Sequence, residues 1–133
     1  MLIRNWLSCC VGQHPKCKPT IAARRLPKRL LQVSSFHNSD DIRLVESETI
    51  AEYVALSHCW GPPEKRPLRT TMATLMDRQE RIRFVDLPLT FKDAVKICRD
   101  INQLFLWIDS LCIVQGDHGD WSEQVSEMAS IYG

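Results

Sequence analysis

Apolar positions along this chain fall into short runs that end abruptly in polar groups, and two of these runs share one design. Tyr53-Val54-Ala55-Leu56 has the length and composition of a strand, and Ser57, His58, Cys59 and Trp60 follow it at once before Gly61-Pro62-Pro63 stops it. Further on, Leu104 to Ile108 is apolar at successive positions, the composition of a strand buried on both faces, and it delivers Asp109 to its C-terminal end. An open α/β sheet usually builds its site in this way, with polar groups at the carboxyl ends of buried strands.

The other patterns are weaker. Leu26-Pro27-Lys28-Arg29-Leu30 turns into an extended segment whose Leu30, Leu31 and Val33 require cover. Ser34 to Asp41 is a polar loop, and Ile42 to Glu46 alternates as a strand. The short polar connection Ser47-Glu48-Thr49 then predicts a hairpin between this strand and the one at 53–60. Gly61 to Arg69 is a surface loop. Thr70 or Thr71 caps a short helix with Met72, Leu75 and Met76 on one face.

Two longer helices follow. Thr90 is an N-cap with Asp93 three residues on, and Phe91, Ala94, Val95, Cys98 and Ile101 share a face until Asn102-Gln103 ends the helix. Asp120 is the second N-cap, with Glu123 at the capping-box position, and Trp121, Val125, Met128 and Tyr132 face the sheet. Glu123 and Glu127 occupy its other, solvated side. The pattern as a whole predicts an α/β domain over residues 42–133, with a mostly parallel sheet flanked by helices. An irregular Cys/His-containing lead-in covers residues 1–41. Because the chain stops at the end of a helical pattern, a longer domain is expected.

At 133 residues, 44% hydrophobic and 25% charged, the chain suits one domain with its own core, so disulfides are not needed to hold it. No apolar run approaches the roughly 20 residues of a membrane span, and the N-terminal apolar stretch is too short for a secretory signal. An intracellular, cytoplasmic protein is expected, with its six cysteines as thiols or metal ligands. Charge is segregated. Residues 1–33 carry Arg4, Lys16, Lys18, Arg24, Arg25, Lys28 and Arg29 and no acid, whereas residues 107–133 carry five acids and no Lys or Arg. Without aromatic interleaving or a nucleic-acid motif, the basic stretch reads as a solvated face or a complement to acids elsewhere, and no specific nucleic acid is expected.

Two constellations bear chemistry. Cys10, His14 and Cys17 are three zinc ligands at close spacing, with Cys9 able to replace Cys10. A closed structural site takes four ligands, and His58 or Cys59 would have to complete it through space; the competing reading is buried thiols and a capping histidine in a helical lead-in. The second constellation is Ser57, His58, Cys59 and Asp109 at two strand ends, with Gln115 and Asp117 beyond. Successive side chains on a strand point to opposite faces, so His58 does not serve Cys59 as a base. Ser57 goes with Cys59, and His58 with Trp60 or with Asp109 from the second strand. Asp93 reads as a cap and Cys98 as core. No phosphate-binding glycine loop, HExxH, GxSxG or CxxC pair is present.

Tyr53 to Gly61, Leu87 to Ala94, Leu106 to Ile113, Gln115, Met128 and Ile131-Tyr132 resemble, in order and spacing, the motifs of the fungal heterokaryon incompatibility (HET) domain. The positions that carry the resemblance most specifically are Ser57, His58, Cys59, Trp60, Gly61, Asp93, Trp107, Asp109, Cys112 and Gln115. Val114 departs from the asparagine that many members carry there. The lead-in with Trp6, Cys10, His14 and Cys17 is similar to what often precedes that domain. The resemblance implies nonself recognition and programmed cell death signalling through self-association or contact with another incompatibility protein. Its distant likeness to TIR domains implies a parallel sheet and raises NAD as a substrate to be cleaved. The candidates for that chemistry are His58, Asp109, Glu123 and Glu127, among which the sequence does not choose. An inactive remnant is the remaining alternative.

Overall fold

Leu30 and Leu31 are consecutive and therefore point to opposite faces, yet both are fully buried, so their strand must lie inside a sheet. In a computed structural model that describes residues 2–17, 27–34, 39–47 and 52–132, it does. Strands β1 (Arg29–Gln32), β2 (Arg43–Glu46), β3 (Val54–Ala55) and β5 (Phe105–Trp107) form a four-stranded sheet in the order β2-β1-β5-β3. A second, two-stranded sheet joins β4 (Thr70–Thr71) to β6 (Val114–Gln115) in parallel. The helices are α1 (Leu2–Gln13), α2 (Leu75–Glu80), α3 (Leu89–Asp100), the single turn α4 (Asp109–Cys112), α5 (His118–Ser126) and α6 (Met128–Tyr132).

The α/β class stands, but the main sheet is mixed, not mostly parallel. Strand β1 pairs antiparallel with both β2 and β5, and only β3 runs parallel to β5. The expected hairpin between 42–46 and 53–60 does not form. Strand β2 instead pairs with β1 in the register Leu30↔Val45 and Leu31↔Leu44. The reason is burial: a strand apolar on both faces takes an interior place and needs a neighbour on each side. Sequence proximity alone favoured the wrong partner. The parallel β3/β5 pair requires a crossover, and α3 lies within it.

Helix α3 buries Phe91, Val95 and Cys98 as its spacing predicts. It starts two residues earlier than expected, with Pro88 at the N-cap and no side-chain cap, so neither Thr90 nor Asp93 caps it and Asp93 is exposed. Its C-terminus is a Schellman motif. Asn102 takes φ 62°, the Gln103 amide donates to the Cys98 carbonyl at 2.8 Å, and the Asn102 amide donates to Arg99 at 3.1 Å. Ahead of it, Thr70 and Thr71 are strand residues, so the expected helix begins only at Leu75. Met72 and Met76 are exposed, and of the three expected face residues Leu75 alone packs on the core. The loop from Gly61 to Arg69 lies at the surface as anticipated, with one 3-10 turn at Pro63–Lys65.

The lead-in is not irregular throughout, because residues 2–13 are helical. Leu26, Arg24 and Arg25 lie outside the described residues, as do Glu48 and Thr49 of the expected hairpin connection. Of the basic stretch, Lys28 and Arg29 complement an acid near the other end of the chain. The Arg29 guanidinium donates from Nη1 to both carboxylate oxygens of Asp120, at 2.9 and 3.0 Å, and Lys28 Nζ donates to Oδ1 at 3.3 Å. The Val114 amide donates to Asp120 Oδ2 at 2.8 Å, and Gln124 Oε1 accepts from the Lys28 amide at 3.2 Å. Arg29, Asp120 and Gln124 are all buried.

Asp120 is therefore not the N-cap. Asp117 is, accepting from the amides of Gly119 and Asp120 at 3.1 and 3.2 Å, after Gly116 turns the chain with φ 86°. The inward face of α5 is Asp120 and Gln124, so Trp121 is turned outward and half exposed. A break at Glu127 then lets α6 bury Ile131.

Among the described residues, no helix is long and apolar enough to cross a membrane.

Candidate functional site

The parallel β3/β5 register aligns Ala55 with Trp107, so both strands end at the same edge of the sheet. Beyond that edge the chain from β3 stays extended, and the alternation expected at 57–60 holds: Ser57 and Cys59 are exposed while His58 and Trp60 are half-buried. The chain from β5 instead turns into α4, with Ile108 at its N-cap position and Asp109 in its first turn. Ser110, Leu111 and Cys112 are buried, and Ser110 Oγ donates to the Leu68 carbonyl at 2.9 Å.

Asp109 is where these elements meet. Its Oδ1 accepts from His58 Nε2 at 3.0 Å and from the Ser110 amide at 2.7 Å. Its Oδ2 accepts from Trp60 Nε1 at 2.9 Å. His58 thus meets Asp109, the pairing that strand alternation singled out, and Trp60 joins from the same side. The imidazole also stands edge-on to Phe91 of α3, with ring centroids 5.2 Å apart. Gln115 Nε2 donates to the backbone carbonyls of Asp109 and Ile113 at 3.3 and 2.9 Å, which fixes the turn from behind.

Two tyrosines close the cluster, and single-residue reasoning had not assigned either a polar role. Tyr53 Oη donates to the Ile131 carbonyl at 2.6 Å, and Tyr132 Oη donates to the Leu56 carbonyl at 3.5 Å. The Tyr132 ring packs edge-on against fully buried Trp107 at 5.3 Å. Burial first, and then the nearby Asp109 carboxylate, push the Tyr132 hydroxyl above its ordinary range. The only sequence signal for this closure was the helical periodicity that aimed Tyr132 at the sheet.

The remaining candidates stand apart. Glu123 is exposed and Glu127 half-buried; neither hydrogen-bonds His58 or Asp109. Next to Gln115, a depression of about 310 Å³ is lined by Gln115, Gly116, Asp117, His118 and Trp121. Cys98 and Cys112 are core residues. Burial pushes their thiols up to about 11 and about 12, where the nucleophilic thiolate is scarce. A thiol-reactive chromophore at pH 8 is therefore expected to label Cys9, Cys10, Cys17 and Cys59 in the native protein, and Cys98 and Cys112 only after denaturant is added. Fast native labelling of Cys112 would show that the core opens. In the lead-in, Cys10, His14 and Cys17 place their ligand atoms within 4.8 Å of one another. His58 is committed to Asp109 and Cys59 is exposed. Neither belongs to that group of ligand atoms.

The family model described as Heterokaryon incompatibility protein (HET) matches residues 53–133, well over half the chain and all of the strand-end cluster. No curated protein and no solved structure matches the chain.

Proposed function

The chain belongs to the heterokaryon incompatibility family, and on that premise we propose that it is a fungal nonself-recognition module that signals cell death through contact with another copy or another incompatibility protein. In this reading the strand-end cluster holds the fold and turns over no substrate. One observation carries it: the Asp109 carboxylate is already occupied by three donors, from His58, Trp60 and the Ser110 amide. A carboxylate that acts as nucleophile or general base must direct a free lone pair at its substrate. Asp109 directs three of its roughly four lone-pair sites at its own fold. The exposed apolar side chains Trp121, Met72 and Met76 supply surface for contact instead.

The test is expression of the full chain in a fungal host, scored for cell death, beside an assay of NAD consumption by the purified assembled protein. Glu123→Gln is expected to leave death intact, Trp121→Ser to reduce it, and NAD to remain unconsumed. NAD loss that a Glu123→Gln or Glu127→Gln variant abolishes, with an unchanged unfolding temperature, would replace this reading with an enzymatic one.

A further inference from the structure

Cys10 lies in the last turn of α1, which ends at Gln13. The His14 amide still donates to the Cys10 carbonyl at 3.0 Å, so the helical path continues one residue further. Pro15 cannot extend an α-helix by donating a backbone hydrogen bond, and the chain tightens there into a 3-10 turn over Pro15–Cys17. The Cys17 amide closes that turn on the His14 carbonyl at 3.0 Å. Side chains four and then three residues apart consequently stack on one face, and all three present their ligand atoms within 4.8 Å of one another.

We propose that Cys10, His14 and Cys17 bind one zinc ion, with water in the fourth tetrahedral position. With bonds of about 2.3 Å to sulfur and about 2.0 Å to nitrogen, ligand atoms around tetrahedral zinc stand about 3.5–3.8 Å apart. The three ligand atoms, already within 4.8 Å of one another, have only to draw in slightly to reach that spacing. The donor set of two thiols and one imidazole is soft enough to select zinc over magnesium or calcium. On binding, zinc gives up all but one of its waters for lone pairs from Cys10 Sγ, Cys17 Sγ and one nitrogen of His14. The two thiols release two protons to solvent, and the dication with two thiolates is neutral. The fourth position faces outward, since His14 and Cys17 are exposed and Cys10 is half-buried. Cys9, one residue before Cys10, projects roughly 100° away around the helix and is exposed.

The site lies outside the core, so its variants are not expected to unfold the domain. The experiment titrates the full chain, held reduced, with cobalt(II) as an optical probe and then with zinc. Expected are one metal per chain, the visible bands of tetrahedral cobalt with thiolate-to-cobalt charge transfer, displacement by zinc, and two protons released per ion. Cys10→Ser or Cys17→Ser, each leaving one thiolate, should cut the charge-transfer intensity per bound cobalt to about half and weaken zinc binding by on the order of a hundredfold, whereas Cys9→Ser and Cys59→Ser should bind as the parent does. Thermal unfolding of each variant shows that the comparison is between folded proteins. Octahedral cobalt without charge transfer, binding indifferent to Cys17→Ser, or no binding at all would overturn the proposal.

Discussion

Asp120→Ala is expected to destabilise the fold by about 3–5 kcal/mol, a large share of the stability of a domain this size. The substitution leaves the Arg29 guanidinium buried without its counter-charge and orphans the amide of Val114, the first residue of β6. Lys28 contributes less, because its side chain is half exposed. Arg29→Met is expected to cost a similar amount, since it strands Asp120 instead. The two together should cost less than the sum of the single changes, because no uncompensated charge then remains. Urea unfolding midpoints of the three variants measure this; additive losses would mean that the pair does not act as a unit.

A pH dependence follows from the same contact. Burial opposes ionisation of Asp120, but the Val114 amide, Arg29 and Lys28 outweigh it and hold the carboxyl below its usual value. A carboxylate depressed in the folded state stabilises at pH above its unfolded value near 4, and that stabilisation is lost as pH falls through the lower folded value. Stability should therefore decline as pH drops below about 4, and the decline should be shallower in Asp120→Ala. It should not vanish there. Asp41 is depressed too, first by the amide of Phe84, which donates to it at 2.9 Å.

Asp109→Ala is the second large effect, expected to cost on the order of 3 kcal/mol. It removes the acceptor of His58 and Trp60 together and leaves a largely buried imidazole without its partner. Asp109→Asn should cost roughly half as much, because one oxygen still accepts while the amide group opposes a donor. Hydrogen exchange at Leu56, whose amide donates to the Trp107 carbonyl at 2.9 Å, reports loss of the parallel pairing. Near-UV circular dichroism reports Trp60. If Asp109→Ala abolished cell death while both signals and the unfolding midpoint stayed native, the cluster would have a role beyond holding the fold. Loss of death together with loss of structure is the expected result.

Much of this cluster was legible before any fold. Strand alternation put His58 and Trp60 on one side and Ser57 and Cys59 on the other, and the apolar run before Asp109 placed that carboxylate at a strand end. The structure adds that both ring N–H groups converge on the one carboxylate, through a parallel pairing that local pattern does not encode. The i, i+4, i+7 spacing of Cys10, His14 and Cys17 was equally local. It needed only the helix and the turn at Pro15 to become a cluster.

The amino-acid sequence by itself determined which segments are apolar on both faces, where α3 ends, which residues carry the family's motifs, and that basic and acidic residues stand at opposite ends of the chain. Only the tertiary structure decided that β1 is central, that β2 pairs with it and not with β3, and that Asp120 neutralises Arg29 inside the protein while Asp117 caps the helix. The division has a physical reason. Side-chain periodicity and capping act over one or two turns of chain and are visible in a short window. Strand partners and buried ion pairs are chosen by competition among distant segments for the same core, and residues 29 and 120 meet only once that competition is settled.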